Sequence, residues 1–269
     1  MSKMILLINA QVKKQKGANY TTRKNPDCCT IITIMSENPK RDLSLSVIIP
    51  VFNEQDTVRE IVQRVLAAEV AAEVIIVDDG SDDGTRTVLQ GLEENPIISV
   101  IYREKNGGKG TAVREGLAAA KGDLVIVQDA DLEYDPRDIK QLLAPILSGD
   151  ATVVYGSRFL NKQARPFLFW SRIANRALTA MTNFLYGSAL TDMETCYKLM
   201  LRDVVNQLDL QARSFEFEPE VTAKILKRGI RIIEVPISFS PRRYTEGKKI
   251  RMRDAVQALW TLIRLRFSN

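Results

Sequence analysis

Histidine is absent from this 269-residue chain. Without imidazole there is no Ser-His-Asp or Cys-His nucleophile, no histidine-ligated zinc or haem iron, and no histidine pH switch. Acid-base and metal chemistry must run on carboxylates, lysine, tyrosine or cysteine, and a resident metal would be a hard cation held by oxygen. Cysteine is scarce as well. Cys28 and Cys29 are adjacent and Cys196 stands alone, which fits neither a disulfide framework nor a four-thiolate zinc site and suits a reducing, cytoplasmic setting. Nor is there the run of about eighteen apolar residues that a spanning helix requires. The longest uncharged stretch, 177–191, is too short and contains Thr, Asn, Gly and Ser. The apolar start at 4–10 is brief, lacks a convincing cleavage site and runs into Lys13 and Lys14, so it makes a poor signal peptide.

What is present is enough for a buried core: 45% of the residues are hydrophobic, in a length suited to one large domain or two small ones. The net charge of +5 is unevenly spread. Residues 1–42 hold eight basic and three acidic side chains, the C-terminal stretch 241–269 is also basic, and the body between them is acidic. Basic ends on an acidic body invite an anionic partner such as a membrane surface or phosphates; nucleic-acid contact would be nonspecific and confined to the tails. Residues 1–42 show no sustained period and are expected to form a flexible basic tail, with Met35 offering a second start.

From residue 43 the pattern becomes regular. Short β-branched runs (Leu45-Ser-Val-Ile-Ile-Pro50, Val74-Ile-Ile-Val77, Ile97-Ile-Ser-Val-Ile101, Leu124-Val-Ile-Val127, Thr152-Val-Val-Tyr155) alternate with amphipathic stretches near 54–68, 83–93, 109–120 and 136–147. Near-continuous apolar strands separated by helices of about three turns predict a doubly wound, mostly parallel α/β sheet covered on both faces. Helical patterns follow at 168–186 and 216–228, then a short apolar strand at 230–235 and a basic amphipathic helix at about 250–267. The expected domain spans 43–240, with 241–269 belonging to it.

In such sheets ligands bind beyond the carboxyl ends of the strands. The residues there are consistently polar: Pro50-Val-Phe-Asn-Glu54, Asp78-Asp-Gly-Ser-Asp-Asp-Gly84, Gln128-Asp-Ala-Asp131 and Gly156-Ser-Arg158. Asp129 and Asp131, with Glu133 two residues on, can converge on one Mg²⁺ or Mn²⁺ that also takes diphosphate oxygens. A lone Asp-x-Asp is usually a solvated turn or a helix cap. Glu54 and Asp79 change that balance, since parallel strands put them on the same rim, where three carboxylates need a cation or hydrogen-bond donors. The stretch Asn106-Gly-Gly-Lys-Gly-Thr111 is no Walker A loop, because Arg103 stands where its first glycine belongs, and Val113 spoils a G-x-G-x-x-G. It reads as a tight turn opening a helix, or as a phosphate contact through Lys109.

These blocks, together with Asp192-Met-Glu-Thr-Cys-Tyr-Lys198 and Glu234-Val-Pro-Ile-Ser238, occur in an order similar to the family 2 glycosyltransferases, nearest to their dolichyl-phosphate mannose synthase branch, across 45 to about 253. The resemblance implies a GT-A fold, a nucleotide-diphosphate sugar donor such as GDP-mannose or UDP-glucose, a Mg²⁺ or Mn²⁺ ion, and inversion at the anomeric carbon. It implies nucleotide-sugar contacts at Pro50, Phe52, Glu54, Val77, Asp79, Asp129, Ala130 and Asp131, and metal contacts at Asp129, Asp131 and Glu133. Arg158, Arg172, Arg242 and Lys248 correspond to residues that grip donor or acceptor phosphates. Phe52 departs from the Tyr frequent at its position.

The acceptor decides the mechanism. A polyprenyl phosphate is largely ionised at neutral pH, its second pKa being about 6, so no protein base is compulsory and Asp131 and Arg158 would carry the catalysis electrostatically. A saccharide hydroxyl acceptor would need a base, for which Asp192 is the candidate. A non-catalytic nucleotide-sugar-binding protein is the alternative from another class. At the C-terminus Val256, Leu259, Trp260, Ile263 and Phe267 recur at helical spacing among Arg251, Arg253, Arg264 and Arg266. That pattern describes equally a helix lying in an anionic membrane surface and one packed on the sheet. The expected location is cytoplasmic, peripheral at the membrane face.

Overall fold

A computed structural model describes residues 43–161, 169–241 and 252–268. The expected tail over 1–42, Arg242 and Lys248 lie outside the described residues. The chain runs β1 (Leu45–Val51), α1 (Val58–Ala67), β2 (Glu73–Asp78), α2 (Thr85–Gln90), β3 (Ile98–Tyr102), α3 (Lys109–Ala119) and β4 (Leu124–Val127). After a 3₁₀ turn at Pro136–Asp138 come α4 (Ile139–Leu147), β5 (Val153–Ser157), α5 (Phe169–Tyr186), β6 (Lys198–Leu201) and α6 (Arg202–Asn206). The last elements are α7 (Phe217–Lys227), β7 (Ile232–Pro236) and α8 (Met252–Phe267).

Among the described residues the strands form one seven-stranded sheet in the order β3-β2-β1-β4-β6-β5-β7. Strand β1 is central, parallel to β2 on one side and to β4 on the other, with Val47 opposite both Val74 and Ile126. Val47, Ile48 and Ile49 are all inaccessible to solvent, so both faces of this strand are covered, as its unbroken apolar run requires. The sheet is not wholly parallel. Strand β6 runs antiparallel to β4 and to β5, and this four-residue strand was not anticipated from the sequence. It opens with Lys198, a fully buried cation, so its burial is hidden by a charge that only a tertiary partner makes tolerable.

Helix α8 is held through Ala258 and Leu262. Leu262 joins a core cluster with Leu190, Met193 and Ala223, and its carbonyl accepts a 2.7 Å bond from the Tyr186 hydroxyl on α5. The stripe of larger residues faces the other way: Val256, Trp260 and Phe267 are exposed, with Leu259 and Ile263 half-buried. No helix among the described residues is long and apolar enough to cross a membrane.

Candidate functional site

Three adjacent parallel strands, β2, β1 and β4, deliver their C-terminal loops to one rim. The ladder continues into those loops, Asp79 N donating to Val51 O at 2.8 Å and Gln128 N to Ile48 O at 2.8 Å. Glu54, Asp79 and Asp129 to Glu133 therefore emerge side by side. The loop after β1 turns through Asn53 (φ +53°) and the loop after β4 through Leu132 (φ +61°). Asparagine tolerates the left-handed region; leucine there is costly, and such strain concentrates at functional loops. Asn53 also stitches the first two loops together, its amide donating to Asp82 at 2.7 Å and accepting from Asp82 N at 3.0 Å. Pro50, near the end of β1, and Phe52, in the loop after it, are half-buried, whereas Val77 and Ala130 are buried.

Each carboxylate has a definite occupation. Glu54 accepts from the Thr57 hydroxyl at 2.7 Å. Asp79 is buried and accepts from Gly107 N at 2.9 Å and Gly108 N at 2.8 Å while pairing with Arg103. Asp79 thus clamps the glycine-rich loop to the end of β2. The glycines answer to backbone packing: at Gly108 (φ +91°) a Cβ would lie 2.4 Å from Arg213 O, and at Gly110 2.7 Å from Ala212 O. This pins the N-terminus of α3 against the segment leading into α7.

Lys109, the first residue of α3, reaches back across the rim. Its ammonium sits 2.7 Å and 3.0 Å from the two oxygens of Asp129 and 3.7 Å from Glu218 Oε1. Burial opposes its charge, but Asp129, Cys196 and Glu218 together hold its pKa well above the ordinary value. Lys109 is a cation in this site. Asp131, the second aspartate of the motif, accepts from Glu133 N at 3.1 Å through Oδ1, which fixes the direction of its carboxylate across the Leu132 turn.

Arg158, at the end of β5, is buried and forms a two-pronged pair with Asp192, Nε to Oδ2 at 2.7 Å and Nη2 to Oδ1 at 2.7 Å. Asp192 is wholly buried and also accepts from Arg158 N at 3.0 Å and Asn175 Nδ2 at 3.1 Å. Glu234 on β7 holds the backbone beneath it, accepting from Thr191 N at 2.8 Å and Asp192 N at 3.0 Å. The guanidinium lies 5.1 Å from the Phe239 ring centre and 5.9 Å from that of Tyr134. Arg172, on α5, is exposed.

Several charged residues of the site were not singled out from the sequence. Lys198 pairs with Glu218 Oε2 in the interior, and Glu218 Oε1 and Glu194 Oε1 are buried atoms without a hydrogen-bond partner. A signal existed for Glu218: it lies on α7 with Phe217, Val221, Thr222 and Ala223, all buried, so the helix turns it inward. Although Glu194 keeps some exposure as a residue, burial of its carboxyl pushes the pKa up to about 7, against the pull of Lys198 and with the help of Glu218. In the unfolded chain it would ionise near 4.5, so the folded chain holds the proton more tightly. The cost is absent below about pH 4.5, grows as pH rises toward 7 and is constant above. Glu194→Gln is expected to raise unfolding stability at pH 8 by up to about 3 kcal/mol and to change little at pH 4.5, read from urea melts at both pH values. An equal effect at both would contradict a raised pKa.

Among the described residues no three acidic or cysteine side chains cluster tightly enough to enclose a metal ion by themselves. A Mg²⁺ or Mn²⁺ ion bound to a diphosphate takes one or two carboxylates and leaves its remaining positions to water and phosphate oxygen. Asp129 and Asp131 offer that hard-oxygen pair at the rim, with Glu133 next to them.

The α/β sheet with carboxylates at this rim is the GT-A architecture. The model of the family "Glycosyl transferase family 2" matches residues 46–209, and the chain belongs to that family. Polyprenol monophosphomannose synthase of Mycolicibacterium smegmatis is 30% identical over 211 residues, covering 75% of this chain and 79% of that protein. Dodecaprenyl-phosphate galacturonate synthase of Rhizobium johnstonii is 27% identical over 219 residues, 79% of this chain. This chain spans 64% of that synthase's length. Glucosyl-3-phosphoglycerate synthase from Mycobacterium tuberculosis, crystallised with Mn²⁺, UDP and glucosyl-3-phosphoglycerate, shares the fold with a TM-score of 0.62 at 19% identity, over 91% of this chain and 86% of that one.

Proposed function

We propose that this chain is an inverting, divalent-cation-dependent glycosyltransferase that moves a hexosyl unit from a nucleotide-diphosphate sugar, GDP-mannose or UDP-glucose, to polyprenyl phosphate. The observation that carries the choice of acceptor is the state of Asp192. It is wholly buried and its oxygens are taken up by Arg158 and Asn175, so it is poorly placed to deprotonate a hydroxyl. An acceptor that arrives as an anion needs no such base.

Glu54, Asp79 and the loop after β4 would bind the donor, with Asp129, Asp131 and Glu133 toward the cation and its diphosphate. When bound, the cation supplies charge neutralisation for the departing nucleotide diphosphate. Arg158, held rigid by Asp192 and flanked by Tyr134 and Phe239, presents fixed positive charge to the phosphates, which is worth most where water is excluded. Arg172, Arg242 and Lys248 would add to that charge. The exposed stripe of Val256, Trp260 and Phe267, beside exposed Arg264 and Arg266, suits a helix resting on an anionic bilayer, where a lipid acceptor resides. The names of the two curated relatives, both prenyl-phosphate sugar synthases, favour the same acceptor.

One observation favours transfer to a saccharide hydroxyl instead: Glu194, with a pKa of about 7, could serve as the base that Asp192 cannot. The two readings part in one assay. The full chain is incubated with GDP-mannose or UDP-glucose, Mn²⁺ or Mg²⁺, and either polyprenyl phosphate in detergent or an oligosaccharide. The expected product is a glycosyl phospholipid, lost on chelation with EDTA and retained in Glu194→Gln. Transfer to the oligosaccharide that Glu194→Gln abolishes would establish the second reading, and nucleotide binding without any transfer would leave neither.

A further inference from the structure

We propose that Lys109 is a built-in counter-ion that occupies the cation's place at Asp129 and is displaced onto Glu218 when a divalent ion binds. The inference rests on the reading of Asp129 and Asp131 as cation ligands, and it is carried by the geometry around the lysine. The ammonium bonds both oxygens of Asp129, at 2.7 Å and 3.0 Å, and stands 3.7 Å from Glu218 Oε1. That Glu218 oxygen is buried and has no hydrogen-bond partner, although the other oxygen of the same carboxylate is paired with Lys198. A buried carboxylate oxygen left unsatisfied within an ångström or so of hydrogen-bonding range is an open acceptor, and such atoms call for an explanation.

A divalent ion on Asp129 would be repelled by an ammonium already in contact with both of its oxygens, because like charges at such separations repel in a partly buried site. Moving Lys109 away relieves that repulsion, and its backbone cannot follow. Gly108 and Gly110 are packed against the carbonyls of Arg213 and Ala212, and Asp79 holds the loop through Gly107 N and Gly108 N. Only the side chain is free to swing, and the acceptor within reach is Glu218 Oε1. Displacement exchanges the partners without leaving any charge unpaired: the cation takes Asp129, and Lys109 completes Glu218. Lys109 therefore competes with the cation, weakens its binding in the absence of nucleotide, and favours uptake of the ion together with a diphosphate that brings its own negative charge. Lys109 is a positioning residue in this account and touches no substrate.

The test is the binding of Mn²⁺ alone to the full chain, without nucleotide, followed by the electron paramagnetic resonance of the free ion. Lys109→Met is expected to bind Mn²⁺ about tenfold more tightly than the wild type, since a competing cation has been removed. Glu218→Gln is expected to bind it more weakly, because the displaced lysine loses its destination. Unchanged or weaker Mn²⁺ binding in Lys109→Met overturns the relay. A crystal structure of the wild-type chain with Mn²⁺ decides the matter without any variant: Lys109 Nζ bonded to Glu218 Oε1 supports the proposal, and Nζ still on Asp129 refutes it. Mn²⁺ binding that is lost in Asp131→Ala but unaltered in Lys109→Met ends the relay alone. An absence of Mn²⁺ binding in every form of the chain ends the cation reading with it.

Discussion

Asp131→Ala is expected to lower kcat/KM for glycosyl transfer by about a hundredfold to a thousandfold while leaving the melting temperature within a degree or two. The two halves of this prediction have different origins. Loss of activity follows from removing a carboxylate proposed to hold a cation against the donor diphosphate, where electrostatic stabilisation is usually the largest single catalytic contribution. Retention of stability follows from the position of Asp131, half-buried at the rim and bonded locally to Glu133 N at 3.1 Å. Asp129→Ala makes the control. It removes the partner of the Lys109 ammonium, 2.7 Å away, and should reduce both activity and stability. Initial rates across a Mn²⁺ titration, with thermal melts of both variants, check the pair. An Asp131→Ala protein that turns over near the wild-type rate would remove the central assignment.

The rim could be read from sequence because it depends on an order of strands that apolar runs reveal directly. Once β1, β2 and β4 are parallel neighbours, Glu54, Asp79 and Asp131 have nowhere to go but the same edge. Helix positions were legible for a similar reason: the pattern at 109–120 became α3 at Lys109–Ala119, and that at 216–228 became α7 at Phe217–Lys227. What escaped is the electrostatics of the interior. Arg158 and Asp192 are 34 residues apart, and Lys198 and Glu218 are 20. No local period encodes such pairs. Strand β6 was missed with them, because four residues beginning with a lysine carry too little alternation to announce a strand. For α8 the apolar stripe was visible but its direction was not. The small face of Ala258 and Leu262 packs inward, and the bulky one of Val256, Trp260 and Phe267 remains outside, which tertiary contact alone decides.

Arg158→Ala is expected to destabilise the chain by about 3–5 kcal/mol, lowering its melting temperature by roughly 10 °C. Asp192 is wholly inaccessible to solvent, and without the guanidinium its charge would keep only the bonds from Arg158 N and Asn175 Nδ2. Removing one member of a buried pair costs the desolvation of the other, which is much larger than the net worth of the pair. Asp192→Asn should therefore be destabilising as well, since it removes the carboxylate charge paired with the buried guanidinium of Arg158. The double replacement Arg158→Met with Asp192→Leu should recover most of the loss in urea denaturation, because neither charge is then left alone. Activity separates the structural role from the chemical one. If Arg158 grips phosphate, the double variant folds near wild-type stability yet transfers sugar at least about a hundredfold more slowly. If the pair only braces the loop after β5, the double variant regains activity together with stability, and Arg158 loses its place in the mechanism.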